Sequence, residues 1–215
     1  MKKIVVCLLA IFLGISLTGN AQSAYEKQRQ KQMKKEYKQK VKEFSKGGWQ
    51  VYGSSHTLEM ELLDHYVALE KEGVSEVSGF ATTSSPNIAQ GELSASASRA
   101  YAQMSSGTIR ESLTGDMGSN ISEDQLKEFE HFYDAYEQKV EAEIKGKLKP
   151  SYTIRRQTAV GGKKTYEWIR CYILDEESAH RACLRALEQA AKETALAEMT
   201  AEQIHEYLEK SFRNE

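Results

Sequence analysis

Apolar residues along this chain form helical stripes in some windows and strict alternation in others. Met33, Tyr37, Val41 and Phe44 recur at spacings of 4, 4 and 3, which predicts a helix over 24–46 stopped by Gly47-Gly48. Trp49–Tyr52 reads as a short strand or an extended lead-in. Ser54-Ser55 offers an N-cap for a second helix over 56–72. Leu58, Leu62, Tyr66 and Leu69 share one face of it, widened by Leu63 and Val67. Val74–Thr83, rich in small and β-branched residues, predicts a strand broken by Ser84-Ser85-Pro86-Asn87. Ala89, Leu93, Ala97, Ala100 and Met104 then mark a helix over 88–106, whose small residues suit close packing on a sheet. Thr108–Leu113 reads as a short strand, and Gly115–Asn120 as a loop.

Ser122-Glu123-Asp124-Gln125 has the form of a capping box and opens a helix to about 145. Its stripe is Leu126, Phe129, Phe132 or Tyr133, Tyr136, Val140 and Ile144. Residues 151–160 and 165–174 are strands, and Gly161-Gly162-Lys163-Lys164 between them makes a β-hairpin. Asp175 caps a helix over 176–198 with Ala179, Ala182, Cys183, Ala186, Leu187 and Ala190 inward. Thr200-Ala201-Glu202-Gln203 opens a last helix carrying Ile204, Tyr207, Leu208 and Phe212. The order predicts a helix-rich α+β fold: a small three- to four-stranded, mainly antiparallel sheet with packed helices.

Three of these segments carry a family likeness. The strand ending Gly79-Phe80-Ala81, the helix with Ala89, Ala97 and Ala100, and the pair Tyr152-Thr153-Ile154 and 166–173 follow one another over about residues 74–175. In that order they resemble the LPP-type 20-kDa bacterial lipoprotein family, and the N-terminal domain of the flagellar assembly protein FlgT looks similar. The resemblance implies a small envelope domain used for assembly or binding rather than catalysis, and it carries over no catalytic residues. The chain departs from the family in lacking a lipidation cysteine, because Cys7 follows Val6 inside an apolar run. It also adds a basic N-terminal helix and two C-terminal helices.

The N-terminus changes the picture of where the chain works. Lys2-Lys3 precedes an apolar run of 14 residues, Ile4–Leu17, and Gly19 and Ala21 suit the positions before a cut at Gln22. Such a run is shorter than the roughly 20 residues that span a bilayer. Residues 1–21 are therefore expected to be a cleaved signal peptide, 22–47 a basic amphipathic helix, and 48–215 a single α+β domain with two C-terminal helices. An exported chain in the periplasm or at the outer membrane, or outside the cell, is the matching localisation, with no transmembrane span in the mature chain.

Charge is unevenly placed. Residues 22–46 hold nine Lys or Arg against three Glu, a net of +6, whereas 47–215 carry a net of −10. Lys27, Arg29, Lys31, Lys34, Lys35, Lys38 and Lys42, with Lys40, could meet lipopolysaccharide phosphates or anionic lipid heads. They could equally form a solvated face on a helix docked by its Met33–Phe44 stripe. Lys outnumbers Arg and only Tyr25 and Tyr37 supply rings, which argues against a nucleic-acid partner.

No catalytic constellation stands out. The five histidines include no HExxH, although Glu128 and His131 lie three apart on one helix face. No Gly-x-Ser-x-Gly elbow occurs, and Gly161-Gly162-Lys163-Lys164 opens no helix that could cradle a phosphate. Neither a metal nor a cofactor is expected. Cys171 and Cys183 are a candidate disulfide: one lies ~13 Å down a strand before Asp175 and the other ~12 Å along a helix after it. The alternative is two buried thiols acting as small hydrophobes. The leading expectation is a non-catalytic interaction or assembly module with an envelope protein partner. The alternatives are a module binding anionic envelope surfaces through 24–46, and a hydrolase without a recognisable motif.

Overall fold

The computed structural model describes residues 19–117 and 123–194. The apolar run of the expected signal peptide, the capping Ser122 and the helix expected from Thr200 lie outside the described residues. The elements follow as α1 (Gly19–Lys46), β1 (Gln50–Val51), α2 (Leu58–Leu69), β2 (Val74–Thr83), α3 (Pro86–Met117), α4 (Glu123–Lys145), β3 (Lys149–Val160), β4 (Lys163–Asp175) and α5 (Glu176–Thr194). The fold is α+β. The strands form one four-stranded sheet in the order β1-β3-β4-β2, antiparallel at every pairing.

The β3–β4 hairpin turns on Gly161 and Gly162 alone, with φ of 58° and 77°. Two successive residues at positive φ give a turn whose twist matches the flanking strands, and glycine adopts it at little cost. Lys163 and Lys164, expected in the turn, belong to β4 and pair with Val160 and Ala159.

Alternation along β4 divides the core in two. Trp168, Tyr172 and Leu174 face one side, where α3, α4 and α5 supply Leu93, Ala97, Tyr136 and Ala182. Ile169 and Cys171 face the other, where they join Tyr152, Ile154, Phe44 of α1 and Leu62 of α2. Trp168 is only 2 % exposed, so both faces of the sheet are covered and this ring is core. Its indole N–H donates to the Thr83 carbonyl at 2.9 Å. Helix α3 reaches the sheet at Gly79, where a Cβ would stand 1.9 Å from the Leu93 carbonyl oxygen.

Two local expectations are corrected. Residues 108–113 continue α3 instead of forming a strand. Ile109 extends the buried stripe of Tyr101, Ala102 and Ser105, and the Thr108 hydroxyl folds back onto the Met104 carbonyl at 3.2 Å. The second helix starts later than 56. Thr57, not Ser54-Ser55, is its N-cap and accepts the Met60 N–H. Its buried face is also narrower, because Leu63 and Val67 point to solvent.

Candidate binding surfaces and a buried polar network

Helix α1 has an inward and an outward side. Inward, Phe44 is buried, with Tyr37 and Val41 packed beside it. The Tyr37 ring meets Tyr66 edge-on at 6.1 Å and its hydroxyl donates to the Glu59 carbonyl at 3.3 Å. Arg29 also turns inward and donates to the Leu69 carbonyl at 3.0 Å, at the C-terminal end of α2, where free carbonyls favour a cation. Lys40 lies over the Phe44 ring, 5.4 Å from its centroid. Arg29 and Lys40 therefore leave the set of outward cations.

Lys27, Lys31, Lys34, Lys35, Lys38, Lys42 and Lys46 are all exposed. At 3.6 residues per turn they fall within an arc of ~120°, on the side away from Tyr37 and Phe44, and run for ~28 Å. None of them meets a carboxylate among the described residues. Like charges four apart disfavour a helix by roughly 0.2–0.5 kcal/mol per pair, so the docking stripe must hold α1 against its own arc.

Beneath α2 lies a network with no signature in the sequence. Between Pro150 and Tyr152 the β3–β4 register shifts, leaving Ser151 as the extra residue of a bulge. Ser151 and Tyr152 consequently reach the same histidine. His65, 1 % exposed, has Nδ1 at 2.9 Å from the Ser151 hydroxyl, Nε2 at 2.6 Å from a Glu76 oxygen, and its ring 5.1 Å from that of Tyr152. The Ser78 hydroxyl donates to the other Glu76 oxygen at 3.2 Å and lies 3.3 Å from the Cys171 sulfur.

Partial burial pushes the Glu76 carboxyl up, but the His65 hydrogen bond and charge, Lys40 and the Ser78 hydrogen bond together hold it below its ordinary value. Burial first, and then the Glu76 charge, push the Cys171 thiol up to about 12. A thiol held neutral is a poor nucleophile. A serine, a histidine and a carboxylate in line are the parts of an acyl-transfer site. Here the histidine is sealed, and neither the hollow beside Phe80 and Arg99 nor the one along Lys27–Lys35 reaches it. What the arrangement does is tie α2 to β2 and β3.

The opposite face holds a second group that spacing does not reveal. The Arg155 guanidinium lies 4.6 Å from the ring centroids of both Tyr52 and Tyr166 and 5.3 Å from that of Trp168. Its neighbour Arg156 points to the other face, pairs with Glu167 and stacks on Trp49.

The candidate disulfide is not formed. Cys171 and Cys183 are both free and buried. The bond required α5 to fold back over the Cys171 face of β4, but that face belongs to α1 and α2. Cys183 sits across the sheet with Tyr101, Ser105 and Tyr136. His131 is exposed on α4, and His56 lies 3.5 Å from Glu61 and 3.8 Å from Asp64. Among the described residues no group of three or more His, Cys, Asp or Glu is placed to hold a metal ion. Among them, too, no helix is long and apolar enough to cross a membrane. No protein-family model, no curated protein and no solved structure matches this chain.

Proposed function

We propose that this chain is an exported cell-envelope protein acting as a non-catalytic interaction module, and that it engages an anionic envelope surface through the lysine arc of α1. The observation that supports the reading is the division of α1 into a docked apolar side and an outward row of cations that meet no acidic partner among the described residues. A merely soluble helix has no need of one sign of charge along ~28 Å of one side, where the repulsion works against it. A phosphate-bearing surface would relieve that repulsion. Export rests on the apolar run after Lys2-Lys3, and the envelope setting also on the likeness over 74–175.

Cosedimentation with vesicles containing phosphatidylglycerol, at low and high salt, tests the proposal. Binding is expected at low salt and should fall steeply as salt rises. Each lysine near an anionic bilayer contributes about 1 kcal/mol, so the Lys31→Gln, Lys38→Gln double variant should bind roughly 30-fold more weakly. Equal binding to neutral and anionic vesicles would sink the idea.

A further inference from the structure

We infer that Arg155, with Arg170 beside it, forms a separate binding site for a compact oxyanion, a phosphate or carboxylate group, on the sheet face opposite α1 and α2. The site begins with how Arg155 is held. Tyr52 and Tyr166 approach the guanidinium at equal distances of 4.6 Å and Trp168 lies next to it at 5.3 Å. Those three rings are themselves fixed: Tyr52 meets Trp168 edge-on at 4.8 Å, Tyr166 meets it at 6.0 Å, and the indole is pinned to the Thr83 carbonyl. A cation–π contact engages the charge of the guanidinium and does not use up its N–H hydrogen bonds. Among the described residues, no hydrogen bond or ion pair takes up those donors of Arg155.

Among the described residues, neither Arg155 nor Arg170 forms an ion pair with a carboxylate. The strand register sets Gln50 and Trp168 opposite Arg155, Tyr166 opposite Gln157, and Arg170 opposite Thr153, all on one face. Arg170 Nε donates to the Thr153 hydroxyl at 2.7 Å, which orients a second guanidinium two positions along while its terminal nitrogens stay free of any carboxylate. Elsewhere the pattern is different: Arg99, Arg156, Arg181 and Arg185 each pair with a glutamate. The one acid between Trp168 and Tyr166 in sequence, Glu167, points through the sheet to Arg156.

A partly exposed guanidinium whose N–H donors and charge have no carboxylate partner among the described residues recognises an oxyanion by paired parallel hydrogen bonds. The flanking Tyr52 and Tyr166 rings would favour an anion carried on a flat or apolar group.

The test uses the full chain, followed by the NMR resonances of the arginine Nε–H groups. It is titrated separately with inorganic phosphate and with acetate. A saturable shift of the Arg155 signal is expected, and the tighter of the two anions identifies the ligand chemistry. Arg155→Lys keeps the positive charge but loses the planar fork, and binding, read in this variant at the Arg170 Nε–H that remains, should weaken at least tenfold. A second variant with Lys27, Lys31, Lys34, Lys35, Lys38 and Lys42 changed to Gln should leave the Arg155 shift untouched, which separates this site from the arc of α1. No saturable shift with either anion, or equal affinity in Arg155→Lys, would overturn the inference. Loss of the shift in the lysine variant alone would assign the anion to α1 instead.

Discussion

Two glycines in this chain play opposite roles, and one substitution tells them apart. At Gly79 an added Cβ would meet the Leu93 carbonyl at 1.9 Å, so α3 would have to lift off β2. Gly79→Ala should cost about 1–3 kcal/mol, read as a lowered urea midpoint. Gly91, one turn into α3, has open space around its Cβ position, and Gly91→Ala should stabilise by about 0.5–1 kcal/mol. Glu76 gives a pH-dependent counterpart. Its carboxyl titrates below the ordinary 4.5 in the folded state, so its contribution is complete above that value and is lost as pH falls through the lower folded one. Urea midpoints measured against pH should therefore drop faster in acid for the native chain than for Glu76→Gln. Parallel curves would count against a folded-state role for this carboxylate. Neither Gly79 nor Glu76 could be singled out from sequence. Gly79 lies in an otherwise regular strand pattern, and the partner of Glu76 depends on a bulge at Ser151 that no local residue preference announces.

At the scale of elements, what was legible is what local chemistry decides. The hairpin was readable because two alternating runs flank adjacent glycines, and the cap at Asp175 because its carboxylate accepts the Ser178 N–H at 2.8 Å. The apolar stripe of α1 was readable from spacing, and Tyr37, Val41 and Phe44 pack as it implied, but the inward turn of Arg29 was not, since its partner is a carbonyl 40 residues away. The stretch after Ser106 misled for a physical reason. Thr108 and Ile109 favour strands locally, yet burial of Ile109 among Tyr101, Phe132 and their neighbours outweighs a preference of a few tenths of a kcal/mol. Ile109→Ala should accordingly cost about 2–5 kcal/mol of global stability by chemical denaturation. A cost under half a kcal/mol would mean that this part of α3 is not seated in the core.

For the whole molecule, the sheet separates the two proposed binding surfaces. The α1–α2 side carries the outward lysine arc, and the opposite side carries the ringed Arg155 and the larger core of α3, α4 and α5. If both proposals hold, the chain could touch an anionic surface and a small anion at once, without competition between them. The same separation bears on the cysteines. Alkylation of the native protein should proceed slowly at both thiols, and after denaturation two labelled cysteines should appear without any reductant. Recovery of unlabelled protein that needs reduction first would contradict the free-thiol arrangement.

The placement of Cys171 and Cys183 has a further consequence. A layer of four strands stands between two thiols of one chain, and each is wrapped in its own set of side chains. In an oxidising compartment such a chain keeps its thiols reduced only while it stays folded. Any cross-link between them becomes a chemical memory of an earlier opening, written when the sheet was apart and unable to close again around the bond. The intact sheet is thus an insulator, and the oxidised fraction recovered from a cell would count how often the insulation had failed.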